Sequence, residues 1–183
     1  MYMAHETAAN RPFISIGPAT LNDVSELVSL VNSAYRGETS KQGWTTEADL
    51  LDGLRTDEES LAEMMNNPAA TFLKAVNQDG KIVGCVFLKS MKDEAYLGML
   101  TVSPTCQNTG LGKQLLRFSE QYAKDKGHSS IVMQVISIRA ELINWYGRHG
   151  YEKTAKRLPF HGDPRFGIPK LPLEFAVLKK FLL

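Results

Sequence analysis

Hydrophobic residues recur at intervals of three and four in five parts of the chain, the spacing that places them on one face of a helix. The predicted helices cover residues 20–35, 47–54, 57–65, 109–126 and 139–149. The first opens with the capping-box sequence Thr20-Leu21-Asn22-Asp23, in which the two end residues bond to each other's backbone. Gly127 is expected to end the fourth, since glycine accepts the left-handed backbone found at helix ends.

Short apolar runs, several of them alternating, predict seven strands. They cover residues 13–16, 71–76, 81–91, 95–102, 130–137, 151–156 and 173–179. Asn77-Gln78-Asp79-Gly80 joins the second strand to the third, and its Asp-Gly pair indicates a hairpin. Strands and helices alternate in the second half. The sequence therefore predicts an α/β fold with a mixed, mostly antiparallel central sheet of about seven strands and helices on both faces.

Length and composition are those of an ordinary globular protein. The 183 residues suit one domain, and neither a repeat nor a linker divides them. We therefore predict a flexible leader over residues 1–11 and a single domain over 12–183. A formal net charge of +1 gives no strong field, so neither nucleic acid nor an anionic membrane is expected as a partner.

The two cysteines predict neither a disulfide framework nor a metal site. Cys85 and Cys106 lack metal-type spacing, and both are interpreted as reduced thiols. No apolar run is long enough to span a bilayer, and polar residues such as His5 and Glu6 stand where a signal peptide needs an apolar stretch. We expect a cytoplasmic protein without a bound metal.

The segment Gln107-Asn108-Thr109-Gly110-Leu111-Gly112 lies between an apolar strand and an amphipathic helix. A glycine-containing loop that opens a helix offers unpaired N–H groups and the positive end of the helix dipole, which suits phosphate. Two familiar loops are excluded by spacing: Gln114 replaces the Ser or Thr of a P-loop, and Leu115 replaces the third glycine of a dinucleotide fingerprint. The alternative is a tight turn without a ligand.

A second signal lies in the last predicted helix. Leu142, Trp145, Tyr146 and His149 are spaced as the core face of a helix, so packing alone explains them. After Trp145-Tyr146 come three residues and then Gly150-Tyr151.

Together, Gln-x-x-Gly-x-Gly and this aromatic-Tyr segment resemble the Gcn5-related N-acetyltransferases, the GNAT superfamily, over about residues 12–183. The resemblance implies the acyl-CoA N-acyltransferase fold and acetyl-CoA as cosubstrate, its pyrophosphate held by backbone N–H groups of the loop. The residues implied to bind it are Leu100, Thr101, Val102, Gln107, Asn108, Thr109, Gly110, Leu111, Gly112 and Lys113. Thr109 stands where the family more often has Gly or Lys, and its N–H remains available.

The resemblance also implies the reaction, which is acetyl transfer to a primary amine of a small molecule or peptide by direct attack on the thioester. A backbone N–H of the strand ending at Val102 is the implied oxyanion donor, and Gly98 suggests a bulge or a close backbone approach in that strand. Tyr146 is interpreted as the general acid that protonates the departing thiolate. Arg139 replaces the Asn that often opens the family's helix, so it receives no role. The alternative is a non-catalytic acyl-CoA-binding module of the same fold.

The acceptor side is less determined. An aromatic residue with carboxylates suits a cationic amine, which makes Trp44, Glu47 and Glu94 the candidate acceptor residues. Arg165, in Gly162-Asp163-Pro164-Arg165-Phe166-Gly167, would instead suit an acidic acceptor. Both segments resemble a branch of the superfamily that shares them, and that resemblance implies no substrate.

Two further questions stay open. The general base is a choice among Glu94, the acids of residues 47–52 (Glu47, Asp49 and Asp52) and a water chain. The apolar segment Leu173–Leu178 could pair with a second copy or pack internally, which leaves a homodimer open.

Overall fold

The computed structural model describes residues 14–183, so the predicted leader and Phe13 lie outside the described residues. Within this range the helices are α1 (Val24–Tyr35), α2 (Gly37–Ser40), α3 (Glu58–Asn66), α4 (Leu111–Asp125) and α5 (Ala140–Gly147). The strands are β1 (Ser15–Pro18), β2 (Leu51–Asp52), β3 (Ala70–Val76), β4 (Ile82–Ser90), β5 (Glu94–Val102), β6 (Ser130–Ile136), β7 (Glu152–Pro159), β8 (Ile168–Pro169) and β9 (Glu174–Phe181). None of the helices in the described range has the length and hydrophobicity needed to cross a membrane.

Seven strands form one sheet in the order β1-β3-β4-β5-β6-β9-β7. Every neighbouring pair is antiparallel except β5 and β6, which run parallel. This arrangement confirms the predicted mixed, mostly antiparallel sheet. The two short strands β2 and β8 pair separately.

The core has two parts, one on each face of the sheet. Side chains alternate along a strand, so Phe72 packs with α1 and α3 while Leu73 packs with α4. Leu27 and Leu61 are fully buried on the first face, and Leu115 on the second. The helices therefore cover both faces, as predicted.

A gap opens in the middle of the sheet. Strands β5 and β6 pair only from Glu94–Ser130 to Tyr96–Val132 and then separate. Beyond that point β5 keeps β4 on one side, while β6 keeps β9 along its whole length. The second half of β5 is thus a free strand edge inside the sheet.

A bulge distorts β5 on this free stretch. Cys85 pairs with Thr101 and Phe87 with Gly98, so Val86 alone faces two residues, Met99 and Leu100. Met99 has a φ of 49°, in the left-handed region that side chains other than glycine rarely adopt. The bulge predicted near Gly98 is confirmed.

The helix predicted over residues 47–54 is wrong. This segment forms turns and then β2, whose Leu51 pairs with Pro169 of β8. Tertiary contacts override the helical pattern: Leu51 is 2% exposed, and Gly53 takes a φ of 87° that ends regular structure. Residues 36–45, which lie outside the predicted helices and strands, also contain a short helix, α2.

Candidate active site

A cleft of about 560 Å³ lies beside the free end of β5. Its walls are the end of β5, the start of α4 and the aromatic face of α5. We call Gln107–Lys113 the donor loop and Gly43–Arg55 the acceptor segment. Parts of both line the cleft.

The donor loop presents its backbone to the cleft. The six consecutive N–H groups from Asn108 to Lys113 donate to no protein acceptor among residues 14–183. Asn108 and Gly110 take positive φ values of 63° and 87°, and Gly110 is the N-cap of the 15-residue helix α4. Free N–H groups and the positive end of a helix dipole can hold an anion.

Side chains of the donor loop serve mainly to shape it. Leu111 is buried in the core, and the Thr109 hydroxyl donates to the carbonyl of Cys106 (2.6 Å). Lys113 lines the cleft and adds a positive charge beside the N–H groups. A bound anion would therefore contact the backbone and Lys113 rather than Leu111 or Thr109 side chains.

Gln107 connects the donor loop to the acceptor segment. Its Oε1 accepts from the Trp44 N–H (2.9 Å), and its Nε2 donates to the Thr45 hydroxyl (3.0 Å) and the Val102 carbonyl (3.3 Å). These bonds use both N–H groups of the side-chain amide, so toward a ligand that side chain has only the second lone pair of Oε1.

Side-chain donors hold the backbone of the bulge in place. The Tyr35 hydroxyl donates to the Leu100 carbonyl at 2.5 Å, and the Thr101 hydroxyl donates to the Met99 carbonyl at 2.9 Å. Burial raises the pKa of Tyr35 to about 12, so this hydroxyl keeps its proton. Thr101 itself is 1% exposed and contributes only backbone to the free edge.

Tyr146 lies where the cleft meets a second, smaller cavity. Its ring packs edge-on against Trp145 (5.0 Å between centroids) and Tyr151 (5.8 Å). Although the residue is only 6% exposed, its hydroxyl has no hydrogen-bond partner within the described part of the chain. Burial, with a smaller effect from Tyr35 and Tyr96, raises the pKa of Tyr146, so the phenol stays protonated at neutral pH.

The smaller cavity has a volume of about 80 Å³ and lies in the gap between β5 and β6, both of which line it. Four residues line both spaces and form the partition between them: Tyr35, Leu100, Leu142 and Tyr146. Three charged residues also line the smaller cavity, namely Glu47, Arg55 and Arg139. One side of the partition therefore offers N–H groups and aromatic rings, and the other offers mixed charges.

The acetyltransferase (GNAT) family model matches residues 27–151, which include the donor loop, the bulged strand and α5. This chain belongs to the GNAT acetyltransferase family. That membership confirms the resemblance drawn from the donor loop and Tyr146.

Named relatives agree with the family. The chain is 26% identical over 128 residues to human N-acetyltransferase 8B, covering 67% of this chain and 55% of the relative. It is 27% identical over 140 residues to the mycothiol acetyltransferase of Rhodococcus opacus (strain B4), covering 73% and 42%. The chain thus spans about half the length of the curated relatives it matches.

Solved structures show the same fold. The ribosomal-protein-S18-alanine N-acetyltransferase of Escherichia coli superimposes with a TM-score of 0.70 at 16% identity, covering 93% of this chain and 94% of that one. An acetyltransferase of the GNAT family from Staphylococcus aureus Mu50 gives a TM-score of 0.67 at 19% identity, covering 93% and 100%.

The three acceptor candidates lie in different places in this GNAT chain. Trp44 lines the large cleft, its ring 6.2 Å from that of Trp145, and not the smaller cavity. Glu47 lines the smaller cavity, but Arg36 pairs with its carboxylate. Glu94 begins β5 at the end opposite the bulge and pairs with Lys179 (3.0 Å), so the structure does not bring it to the site.

Arg139 is a site residue to which sequence reasoning gave no role. Its guanidinium donates to the carbonyls of Trp44 and Thr45 (both 3.3 Å) and pairs with Glu141 at 2.6 Å. It also lies 3.9 Å from Glu47. The sequence did contain a signal for this role. Arg139 stands where the family often has Asn, so a long cationic side chain lies at the start of α5, beside the acceptor segment.

Proposed function

We propose that this GNAT chain transfers the acetyl group of acetyl-CoA to a primary amine of a small molecule or peptide. The observation that carries the proposal is the position of Tyr146, whose unpaired hydroxyl stands between a cleft suited to the donor and a cavity suited to the acceptor. Family membership and the names of the relatives support the same reaction.

The donor loop fits the pyrophosphate of acetyl-CoA. Six unpaired N–H groups and Lys113 offer charge and hydrogen bonds of the right sign. The free edge of β5 at Leu100–Val102 offers backbone groups to the amide-containing arm. Acetyl-CoA supplies an activated thioester carbonyl, and the protein supplies position and hydrogen bonds.

The reaction forms one bond and breaks one. The amine nitrogen attacks the thioester carbon, so a C–N bond forms and the C–S bond breaks. Negative charge developing on the carbonyl oxygen needs a fixed donor, for which we propose a backbone N–H of the bulged stretch of β5. Tyr146 donates its proton to the departing thiolate and recovers one that the amine nitrogen releases.

The acceptor must lose a proton before it attacks, since an alkyl ammonium has a pKa of about 10.4 in water. Glu47 is held by Arg36 and is poorly placed to act as base. We propose instead that the positive surroundings of the smaller cavity favour the neutral amine and that water takes the proton.

Thiol release measured over an amine panel tests the proposal. The panel contains amino acids, their carboxamides, simple alkylamines, a polyamine and short peptides. We expect acetyl-CoA to bind in isothermal titration and at least one amine to raise thiol release about tenfold or more above the acceptor-free rate, as expected for an intact general-acid site. Tight binding without acceptor-dependent release from any amine would establish the alternative, an acyl-CoA-binding module. A homodimer and a cytoplasmic location stay predictions.

A further inference from the structure

We propose that the acceptor carries a carboxylate as well as its primary amine, and that Arg55 binds that carboxylate. This inference rests on the proposed N-acetyltransferase function and names its substrate class. The supporting observation is that the guanidinium of Arg55 has no carboxylate partner among the described residues. Arg55 and Tyr146 both line the smaller cavity.

Arg55 is the one arginine of this cavity wall whose charge is not compensated by the protein. Arg139 pairs with Glu141, and Arg36, just behind the wall, pairs with Glu47. Within residues 14–183, Arg55 forms no ion pair and its side chain forms no hydrogen bond. The charged residues that line the cavity are Glu47, Arg55 and Arg139, so its wall carries one net positive charge.

The guanidinium is directed toward the protein interior. Its central carbon lies 5.8 Å from the centre of the Tyr35 ring, and the residue is partly buried. Burial raises the pKa of both Tyr35 and Tyr96, and the charge of Arg55 opposes that rise at each hydroxyl. Arg55 therefore faces the cavity and not only bulk water.

The backbone of Arg55 is held by a side chain from α1. The Asn32 Oδ1 accepts from the Arg55 N–H (2.7 Å) and the Thr56 N–H (3.3 Å), while its Nδ2 donates to the Thr56 carbonyl (3.0 Å). These three hydrogen bonds fix the position of the Arg55 backbone, from which the side chain extends to the cavity. The planar guanidinium is suited to bind a carboxylate through two parallel hydrogen bonds.

These charges select against the cationic acceptor that Trp44 and Glu47 suggested. A protonated amine without an anion would enter a wall with a net positive charge, which is unfavourable. A carboxylate on the same molecule neutralises Arg55 and leaves the amine near Tyr146. Because Met99, Leu142 and Phe175 also line the cavity, an apolar side chain on the amino acid would meet apolar surface there.

Matched acids and amides test the inference. Thiol release is measured for L-phenylalanine against L-phenylalaninamide and phenethylamine, and for L-methionine against L-methioninamide. The amide's amine is less basic than that of the acid, so more of it is neutral at a given pH, which biases the comparison against the proposal. We expect a kcat/KM for the acids at least about tenfold above that for the amides, the size typical of a hydrogen bond to a charged group.

Arg55→Met should reduce the acid-to-amide ratio to near one, and Arg55→Lys should keep part of it. Arg165→Met is the matched control, because Arg165 is exposed and paired with Asp163 (2.7 Å). It should keep the wild-type ratio. Acetyl-CoA affinity and melting temperature of each variant establish that it is folded.

The outcomes separate this inference from the function on which it rests. Equal or faster reaction of the amides, or a ratio that survives Arg55→Met, overturns the role of Arg55. If Arg165→Met instead abolishes the preference for acids over amides, the carboxylate binds at the loop of residues 162–167. The role of Arg55 is then also overturned. Absence of thiol release with any amine overturns the proposed function itself. If Arg55→Met does not fold, the wild-type ratio and Arg55→Lys decide.

Discussion

The donor loop and the acceptor segment are built in opposite ways. The donor loop presents N–H groups of its own backbone, in positions set by two left-handed residues and the start of α4. The acceptor segment takes its form from distant partners: Arg36 and Arg139 hold Glu47, and β8 pairs with β2. The first should therefore be sensitive to changes in backbone conformation, and the second to the loss of a single charge.

Glu47→Gln should produce the largest effect. The carboxylate is 13% exposed and lies between two arginines that are almost fully buried. Removing one partner of a buried pair leaves uncompensated charge and costs about 3 kcal/mol or more. In a chain of this size that loss lowers the melting temperature by roughly 6 °C or more.

Asp49→Asn is the control, because Asp49 belongs to the same segment and forms no ion pair among residues 14–183. Its melting temperature should match that of the wild type in a thermal scan. An unchanged melting temperature in Glu47→Gln would mean that the acceptor segment does not depend on this charge.

Tyr146→Phe tests the junction of the two regions. Turnover should fall at least about tenfold, because the leaving thiolate loses its proton donor. Acetyl-CoA affinity in isothermal titration should change little, since the ring and its packing remain. Unchanged turnover would assign Tyr146 to packing alone.

The pH profile adds an independent check on Tyr146. Burial raises the pKa of Tyr146 above its ordinary value, so the phenol remains protonated below that raised pKa. The rate should therefore increase with pH as the acceptor amine deprotonates. It should show no decline at any pH up to about 10, the ordinary phenol pKa. A falling limb well below that pH would contradict an acid role for Tyr146.

Gly110→Ala should affect the donor region more moderately. Gly110 and Gly127 have φ values of 87° and 85° at the two ends of α4, and neither has an atom within 4 Å of an added Cβ. Alanine at either position costs about 1–2 kcal/mol of backbone strain. Both variants should lose similar thermal stability, but only Gly110→Ala should weaken acetyl-CoA binding, by about fivefold or more. Equal acetyl-CoA affinities would show that the donor loop does not depend on this conformation.

Tyr35→Phe should have the smallest effect. The Leu100 carbonyl would lose a hydrogen bond worth about 1 kcal/mol, which corresponds to a loss of about fivefold in kcat if the bulge shifts. Tyr96→Phe is the control, because the Tyr96 hydroxyl forms no hydrogen bond in residues 14–183. A steady-state assay in which the two variants behave alike would show that Tyr35 does not position the bulge.

Prediction from sequence succeeded where structure is determined locally. The alternating strands, the Asp79-Gly80 hairpin and α4, which Gly127 follows, all lie close to their predicted bounds. The donor loop lies between strand and helix as predicted, since its glycines and its place in the chain are local features, while its binding of acetyl-CoA stays a prediction.

Prediction failed where contacts join distant parts of the chain. Residues 47–54 carry a helical pattern, yet pairing with β8 and burial of Leu51 decide their conformation. Arg55 belongs to no motif, and only the fold brings it beside Tyr35. The net charge of the smaller cavity depends on such pairs, so the sequence alone could not give its sign.

The contact between Gly43 and Gln107 has a consequence for how sequences of this kind diverge. A Cβ atom at position 43 would lie 2.6 Å from Gln107 Oε1, so any larger residue there displaces the amide from its three bonds. A substitution at position 43 is then tolerated only with a shorter or redirected side chain at position 107. The two positions should covary among homologues, although one lies in each half of the site.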